Sequence, residues 1–517
     1  MSLPLLTILW ALPLAGAVLL IFLPKERRDI LYGTALTFTG LVLALAIWLF
    51  IRFDGATAGP QFVERTAWLG GGVQYHVGID GISLVLILLT AFLMPLAVLS
   101  SRNAVSSRLK EYLFFFLLLE AGIIGVFAAL NLILFYVFWE VVLIPMAFLI
   151  GVWGGPRRVY AATKFVLVTM FGSLLMLAAI LVLGRLSAEA GGAAAFDILE
   201  LHRLAIPAGT QTWLFLAFAV AFAVKVPMIP LHTWLPDAHV EAPTAGSVLL
   251  AAVLLKMGAY GFLRLALPIF PDAAARFLPA LAALAIAGIL YGGCMALVQK
   301  DIKAMVAYSS VSHMGLIMLA LFSSNIESVQ GAVFQMLAHG LSTGLLFLLV
   351  GILYERAHTR SLADFGGVAR VMPVFAAFFL VASLASLGLP GLSGFVGEFL
   401  CLYGIFGAHS IWAVLAVPTV ILSAAYLLGA LRRVMHGPVA DDRVRGLRDM
   451  TWREIAVTAP IVVLILWLGL FPRTFLAKTE ASVSAAIRLI EKRDRIFVRT
   501  SAPATEAARG EFEERRR

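Results

Sequence analysis

Apolar runs of about 20 residues recur along this chain of 517 residues, and they restrict its fold more than any other feature. A lipid bilayer removes water from the backbone, so a crossing segment must satisfy its own hydrogen bonds. The chain is 61% hydrophobic and only 13% charged, which lies outside the range of soluble proteins. We therefore predict an all-α polytopic membrane protein with fourteen spans, at residues 3–23, 30–51, 82–101, 111–129, 131–150, 160–184, 211–234, 243–263, 277–298, 302–322, 328–354, 372–408, 411–431 and 455–471.

Lys and Arg are distributed unequally between alternate loops. The loops after odd-numbered spans hold 19 of them and the loops after even-numbered spans hold 6, which places the odd loops in the cytoplasm and both termini outside. The first run is expected to remain as a span rather than be cleaved as a signal peptide, because the basic sequence PKERRD follows it and no positive charge precedes it. The basic tail after Phe471 opposes this assignment, but a long tail determines topology weakly, and its end, ARGEFEERRR, is predicted to be disordered.

Prolines and glycines interrupt the seventh and twelfth spans. Pro227 and Pro230 follow Lys225 at bilayer depth, and GLPGLSG at 388–394 divides a run that is too long for one helix. Spans four to eight and nine to thirteen thus predict two inverted five-helix repeats, each with a broken fourth helix. The predicted organisation is 1–110, three spans with a periplasmic loop; 111–265, the first repeat with its break near 225–232; 277–431, the second repeat with its break near 388–394; 432–471, a cytoplasmic loop and the last span; and 472–517, a charged tail.

Titratable side chains lie inside the apolar spans, where an unpaired charge costs about 3 kcal/mol or more. Such residues usually serve a function, although a Glu can be kept neutral by burial and a His can be an ordinary core residue. The opposite charges of Glu140 and Lys225 favour pairing. Lys164, close to the start of its span, is predicted to extend to the headgroups. The candidate functional residues are Glu120, Glu140, Lys225, His232, Lys256, His313, His339 and Glu398.

Several classes of site are not supported by the sequence. Cys294 and Cys401 lie in apolar runs and predict neither a disulfide scaffold nor a cysteine metal site. We find no nucleotide-binding fingerprint, iron–sulfur pattern, haem site or metal-ligand spacing. The net charge of +9 follows the topology of the loops and does not indicate nucleic-acid binding. No cofactor or metal is therefore predicted on this chain.

Several motifs together resemble the antiporter-like subunits of respiratory NADH:quinone oxidoreductase (complex I), over nearly the whole chain up to the tail. They are FWEVVLIPM, KVPMIPLHTWLPDAHVEAPT, LLKMGAYG, QKDIKAMVAYSSVSHMG, QMLAHGLSTG and LGLPGLSGFVGEF. Within this family the sequence most resembles the group of chain M and mitochondrial subunit 4. Glu398 stands on the twelfth span, where the L and N chains are expected to carry Lys, and the long lateral helix of the L chain is absent.

The resemblance implies a subunit that moves protons while other subunits carry FMN, iron–sulfur clusters and quinone and couple NADH oxidation to quinone reduction. It implies a coupled pair of Glu140 and Lys225, with Lys256 as the connecting residue. His313 and His339 would then act as relays, Glu398 as the terminal site, and Glu120 and His232 as possible support. The implied partners are the L- and N-type chains, the lateral helix of the L-type chain and lipids of a bacterial inner membrane.

Two other classes of protein are also consistent with the sequence. One is a subunit of a multisubunit cation/proton antiporter or a membrane-bound hydrogenase, and the other is a purely structural membrane subunit. Glu398 in place of Lys favours complex I over the first class. The line of ionisable residues inside the membrane disfavours the second.

Overall fold

Long helices dominate the computed structural model, which describes residues 3–191, 195–440 and 442–500. The long apolar sequences form helices because a helix satisfies every internal backbone group in lipid. In chain order they are α1 Leu5–Phe22, α2 Arg28–Arg52, α3 Gly81–Ala104, α4 Leu109–Ala128, α5 Leu132–Trp153, α6 Arg158–Gly191, α7 Ala208–Lys225, α8 Trp234–Glu241, α9 Thr244–Ile269, α10 Pro271–Val298, α11 Ile302–Phe322, α12 Ile326–Ala357, α13 Pro373–Ser386, α14 Ser393–Ala408, α15 Ser410–Met435, α16 Trp452–Leu470 and α17 Arg473–Thr500.

The predicted spans agree with these helices. Thirteen helices in the described ranges are long and apolar enough to cross a membrane, and the short helices α13 and α14 together form the broken twelfth span. The seventh span is broken as well, between α7 and α8. The predicted polytopic helical fold is thereby confirmed, while the boundaries of the two repeats remain a prediction. The tail begins as helix α17, and its last residues, 508–517, lie outside the described residues.

A β-hairpin precedes the third span, in a region that we predicted only as a loop. Gln61–Gly70 pairs antiparallel with Val73–Ile79. Gly70, Gly71 and Gly72 all have positive φ at the turn, a conformation that glycine adopts without steric cost. The side chain of Glu64 accepts a hydrogen bond of 2.7 Å from the Leu6 backbone N–H, which fixes the hairpin over the start of α1.

We call the end of the bundle that carries this hairpin the hairpin end. Helix α17 lies there too, because the Gly81 backbone N–H donates to the Ser482 hydroxyl at 2.9 Å and Lys478 Nζ donates to the Phe53 carbonyl at 2.6 Å. The first and last described helices thus meet at one end, as an even number of crossings requires. The positive-inside distribution predicts that this end faces outside.

The centre of the bundle consists of α9, α11 and α12. These three helices are buried along almost their whole length, whereas a third or less of α1, α2 and α16 is buried. A helix that is buried all round cannot place a charge in water or headgroups. The titratable residues on the three central helices therefore depend on one another for stabilisation.

The orientation gives a testable prediction. With Cys294, which is exposed, replaced by Ser, Arg445→Cys should react with a membrane-impermeant maleimide only from the cytoplasm, and Ala56→Cys only from outside. Labelling can be compared in intact cells and inverted vesicles. Reaction of the Arg445→Cys variant from outside would show that the twelfth span crosses twice.

Candidate functional site

The seventh span breaks at 226–230, inside the predicted interval. Helix α7 ends at Lys225, and the chain continues through a 3₁₀ turn, Leu231–Thr233, into α8. The proline that follows cannot donate to the helix, but the carbonyls that it frees find other donors. Trp234 Nε1 donates to the Val224 carbonyl at 2.8 Å, and the Met228 backbone N–H donates to Ala223 at 2.7 Å. The break is therefore a satisfied structure in which a polar group can sit at bilayer depth.

Lys225 occupies the carboxyl end of the first half-helix, where the helix dipole favours a positive charge. Its side chain is buried, with Nζ 5.2 Å from the centre of the Trp139 ring and 5.8 Å from that of Phe165. Aromatic faces attract a desolvated ammonium group. An aromatic enclosure, which the sequence did not suggest, thus accounts for much of the stabilisation of this cation.

Glu140 does not form the direct ion pair with Lys225 that the opposite charges suggested. No salt bridge joins them in the described structure, and Glu140 Oε1 is buried without a hydrogen-bond partner there. Glu140 directly follows Trp139, whose ring packs near the ammonium, so its carboxyl group lies close to Lys225 without touching it. The two charges can therefore influence each other through an apolar medium, where screening is weak.

Lys256 stands between two π-helical segments of α9, Leu250–Leu254 and Phe262–Ala266. Wider turns of this kind release backbone carbonyls and often occur at functional sites. Lys256 Nζ donates to the Ala251 carbonyl at 2.6 Å and lies 2.7 Å from His339 Nδ1. The lysine is fully buried, so these two groups replace water around its nitrogen.

A line of neighbouring polar groups runs from Lys256 to the second broken span. The rings of His339 and His313 meet edge to face with centroids 5.3 Å apart. His313 Nε2 lies 3.8 Å from Glu398 Oε1. Four residues that lie far apart in the sequence are thus consecutive neighbours in space: Lys256, His339, His313 and Glu398.

Glu398 lies on α14, six residues into the second half-helix after the break. Its side chain is buried, and Gln335 Nε2 is 3.5 Å from Oε1. On the other side it faces Gly388, whose φ of +80° and absent side chain allow the backbone to approach the carboxyl group. A Cβ at Gly388 would lie 2.5 Å from Oε2, and the positive φ disfavours any other residue, so glycine suits this position beside the carboxylate.

The remaining predicted residues lie off this line. Glu120 is fully buried, and neither of its oxygens has a hydrogen-bond partner among the described residues. His232 follows the first break and packs edge to face against Tyr291 with centroids 5.1 Å apart. Lys164 is half-buried and bonds Asp237 of α8 at 2.7 Å. It therefore has a charged partner in addition to any contact with headgroups.

Two further polar residues were missed by the sequence analysis. His239 is fully buried, stacks on Phe347 with centroids 4.6 Å apart and has no hydrogen-bond partner for either ring nitrogen within the described part of the chain. Lys303, which stands at the start of the tenth predicted span and enters the charge count with the preceding loop, is buried and donates to the Ala242 carbonyl at 2.5 Å, at the carboxyl end of α8. His239 stands seven positions after His232, and a second histidine in the same stretch at bilayer depth could have drawn attention to it.

His239 lies where the end of α8 meets α9, because its backbone carbonyl accepts a hydrogen bond of 3.1 Å from the Ser247 hydroxyl and Lys303 binds the Ala242 carbonyl three residues later. A cavity of about 230 Å³ opens beside α8 at the end opposite the hairpin. Its lining includes Asp237, Glu241 and Tyr308. Arg157 shares the wall with these two carboxyl groups, and the cavity lies next to the buried bases Lys303 and His239.

Comparisons with known proteins agree with this geometry. The family described as "NADH:quinone oxidoreductase/Mrp antiporter, TM" matches residues 129–423, and the family "NADH-ubiquinone oxidoreductase chain 4, amino terminus" matches residues 62–125. NADH-quinone oxidoreductase subunit M of Rhodobacter capsulatus is 47% identical over 486 residues, which cover 90% of this chain and 93% of that protein.

Solved structures share the fold. A chain of respiratory complex I from Thermus thermophilus with bound NADH is 35% identical, with a TM-score of 0.85 over 94% of this chain and 99% of that one. A chain of the Mrp complex from Dietzia sp. has a TM-score of 0.82 over 95% of this chain and 100% of its own length, at 22% identity. The second likeness concerns the fold alone.

Proposed function

This chain belongs to the family of NADH-quinone oxidoreductase subunit M and chain 4 proteins, and we propose that its protons travel along the buried line from Lys256 to Glu398. It is an antiporter-like, proton-translocating subunit of complex I. The observation that carries the proposal is the contact sequence Lys256, His339, His313, Glu398, in which each member can hold or pass a proton.

Protons enter from the cavity beside α8 and reach Lys256 through His239. Lys303 and Arg360 hold the end of α8 in place, since both donate to the Val240 carbonyl, at 3.4 and 2.7 Å. Neither ring nitrogen of His239 has a hydrogen-bond partner among the described residues, so both are free to take up or release a proton. A histidine in this position is suited to pass protons inward.

The pair of Glu140 and Lys225 controls when Lys256 loses its proton. Helix α7 packs closely on α9, because a Cβ at Gly258 would lie 2.8 Å from both the Phe222 carbonyl and a methyl of Val226. A Lys225 ammonium that is no longer balanced by Glu140 raises the positive potential at Lys256. The proton on Lys256 then moves to His339 and onward to Glu398.

The wider assignments follow from family membership. The chain works in a multisubunit membrane complex, and we assign the homologous L- and N-type chains, the lateral helix of the L-type chain and lipids as its neighbours. FMN, the iron–sulfur clusters and the quinone site are assigned to other subunits. The location is a bacterial inner membrane, with both termini in the periplasm.

A His339→Gln substitution tests the line of contacts. Gln can accept a hydrogen bond from Lys256 but cannot take its proton, so proton pumping by the complex reconstituted into liposomes should fall several-fold while assembly is retained. His436→Gln, on an exposed histidine, serves as the matched control and should pump normally. Unchanged pumping by the His339 variant would contradict the route through His339.

A further inference from the structure

A buried ion pair lies beyond Lys256 toward the hairpin end, and the proton route described above does not use it. Arg264 Nη1 is 3.0 Å from Asp80 Oδ2, and the side chains are 12% and 2% exposed. We had counted Arg264 among the loop residues, but it lies within the second π segment of α9. A pair that is taken out of water costs desolvation energy, so its retention calls for a reason other than stability.

Asp80 is held rigidly. Its Oδ1 accepts hydrogen bonds from the backbone N–H groups of Ile82 and Ser83 at 3.1 and 2.9 Å, and Ser83 completes a capping box at the start of α3. The second oxygen, Oδ2, makes no hydrogen bond of good geometry and is occupied by the charge of Arg264 alone. The guanidinium group is thus fixed by one anchored carboxylate.

One buried polar side chain lies between this pair and Lys256. Lys256, Tyr260 and Arg264 follow one another at intervals of four residues along α9, so each step rises by about 6 Å. The Tyr260 hydroxyl is buried and donates to the Phe127 carbonyl at 3.2 Å. An exchangeable hydroxyl therefore lies between the central lysine and the ion pair.

Helix α17 closes the site from the hairpin end. It crosses directly over the start of α3, where a Cβ at Gly81 would come within 1.9 Å of the Lys478 carbonyl oxygen. The hydroxyl of Ser482 accepts from Gly81 N–H at the same crossing. Such close packing over the ion pair is possible only because the residue beside Asp80 is glycine.

We propose that the Asp80–Arg264 pair is an electrostatic seal that prevents protons from passing between Lys256 and the hairpin end through Tyr260. A fixed guanidinium group in a narrow passage repels hydronium and other cations. Without the Arg264 charge, Lys256 could exchange protons with the hairpin side directly, and these protons would bypass the route to Glu398. The inference rests on the proposed function of Lys256 but concerns the passive permeability of the resting complex.

The test uses the whole complex in liposomes that enclose a pH-sensitive dye. A pH gradient is imposed in the absence of NADH, and its decay is compared between variants. Arg264→Gln should increase the leak several-fold over wild type, whereas Arg264→Lys, which keeps a positive charge beside Asp80, should remain close to wild type. Arg264→Met removes the same charge if the Gln variant fails to assemble.

Two further variants sharpen the result. Arg276→Gln alters an exposed arginine near the same end and should leave the leak unchanged. Tyr260→Phe in the Arg264→Gln background should reduce the leak again, because the hydroxyl is a step of the passage. The proposal would be overturned if the neutral Arg264 variants leaked at the wild-type rate. It would also be overturned if the Lys variant leaked as fast as the neutral variants. Because no turnover is measured, this outcome is independent of the pumping test at His339.

Discussion

Proton pumping by the complex reconstituted into liposomes is expected to collapse when Glu398 is replaced by Gln. The loss of a group that donates and accepts protons typically slows its step by about 100-fold or more. Gln has nearly the shape of Glu and can still receive the hydrogen bond from Gln335. It cannot take a proton from His313, which lies 3.8 Å away. The variant therefore loses the ability to exchange protons, while the packing of the side chain is largely kept.

Two companion variants separate titration from charge sign. Glu398→Asp keeps the carboxyl group but shortens it, so pumping should be reduced less than in the Gln variant. Glu398→Lys inverts the charge but keeps a titratable group, and some activity should remain if titration is what matters. If Glu398 served only as a neutral hydrogen-bond partner of the broken backbone near Gly388, the Gln variant would pump at the wild-type rate, and the assignment would be refuted.

The broken helices could be predicted from sequence because their causes are local. Proline at 227 and 230 cannot donate to a helix, and the glycines of 388–394 permit positive φ, whatever the rest of the chain does. The spans were predictable for the same reason, since apolar length alone decides them. The titratable residues could also be nominated, because a charge in an apolar run is conspicuous.

The arrangement of the site could not be predicted, because it depends on contacts between helices. Nothing local indicates that Lys256 meets His339, or that Trp139 and Phe165 enclose Lys225. The π segments of α9 lie in a sequence that reads as ordinary helix. Lys303 stands at the start of the tenth predicted span, where a lysine usually reaches the headgroups, yet its burial is set by the neighbouring end of α8.

Lys225→Ala is expected to abolish most proton pumping and coupled electron transfer while the complex still assembles. The substitution removes the charge that Glu140 acts on and empties the space between Trp139 and Phe165. An emptied site loses packing energy as well as charge. Lys225→Met, which keeps most of the side-chain volume, should impair pumping to the same degree if the charge is the cause. Lys300→Ala, on an exposed lysine, is the control and should pump normally.

Glu140→Gln tests the other member of the pair and should have a comparable effect. Because the two groups are not in direct contact, their coupling acts through the field across the aromatic enclosure. The double variant Glu140→Gln with Lys225→Met should then be no worse than either single variant, since the interaction is already lost in each. Effects that multiply in the double variant would show that Glu140 and Lys225 act independently. A normal proton-to-electron ratio in either single variant would remove the pair from the mechanism and leave Lys256 without a control element in the first repeat.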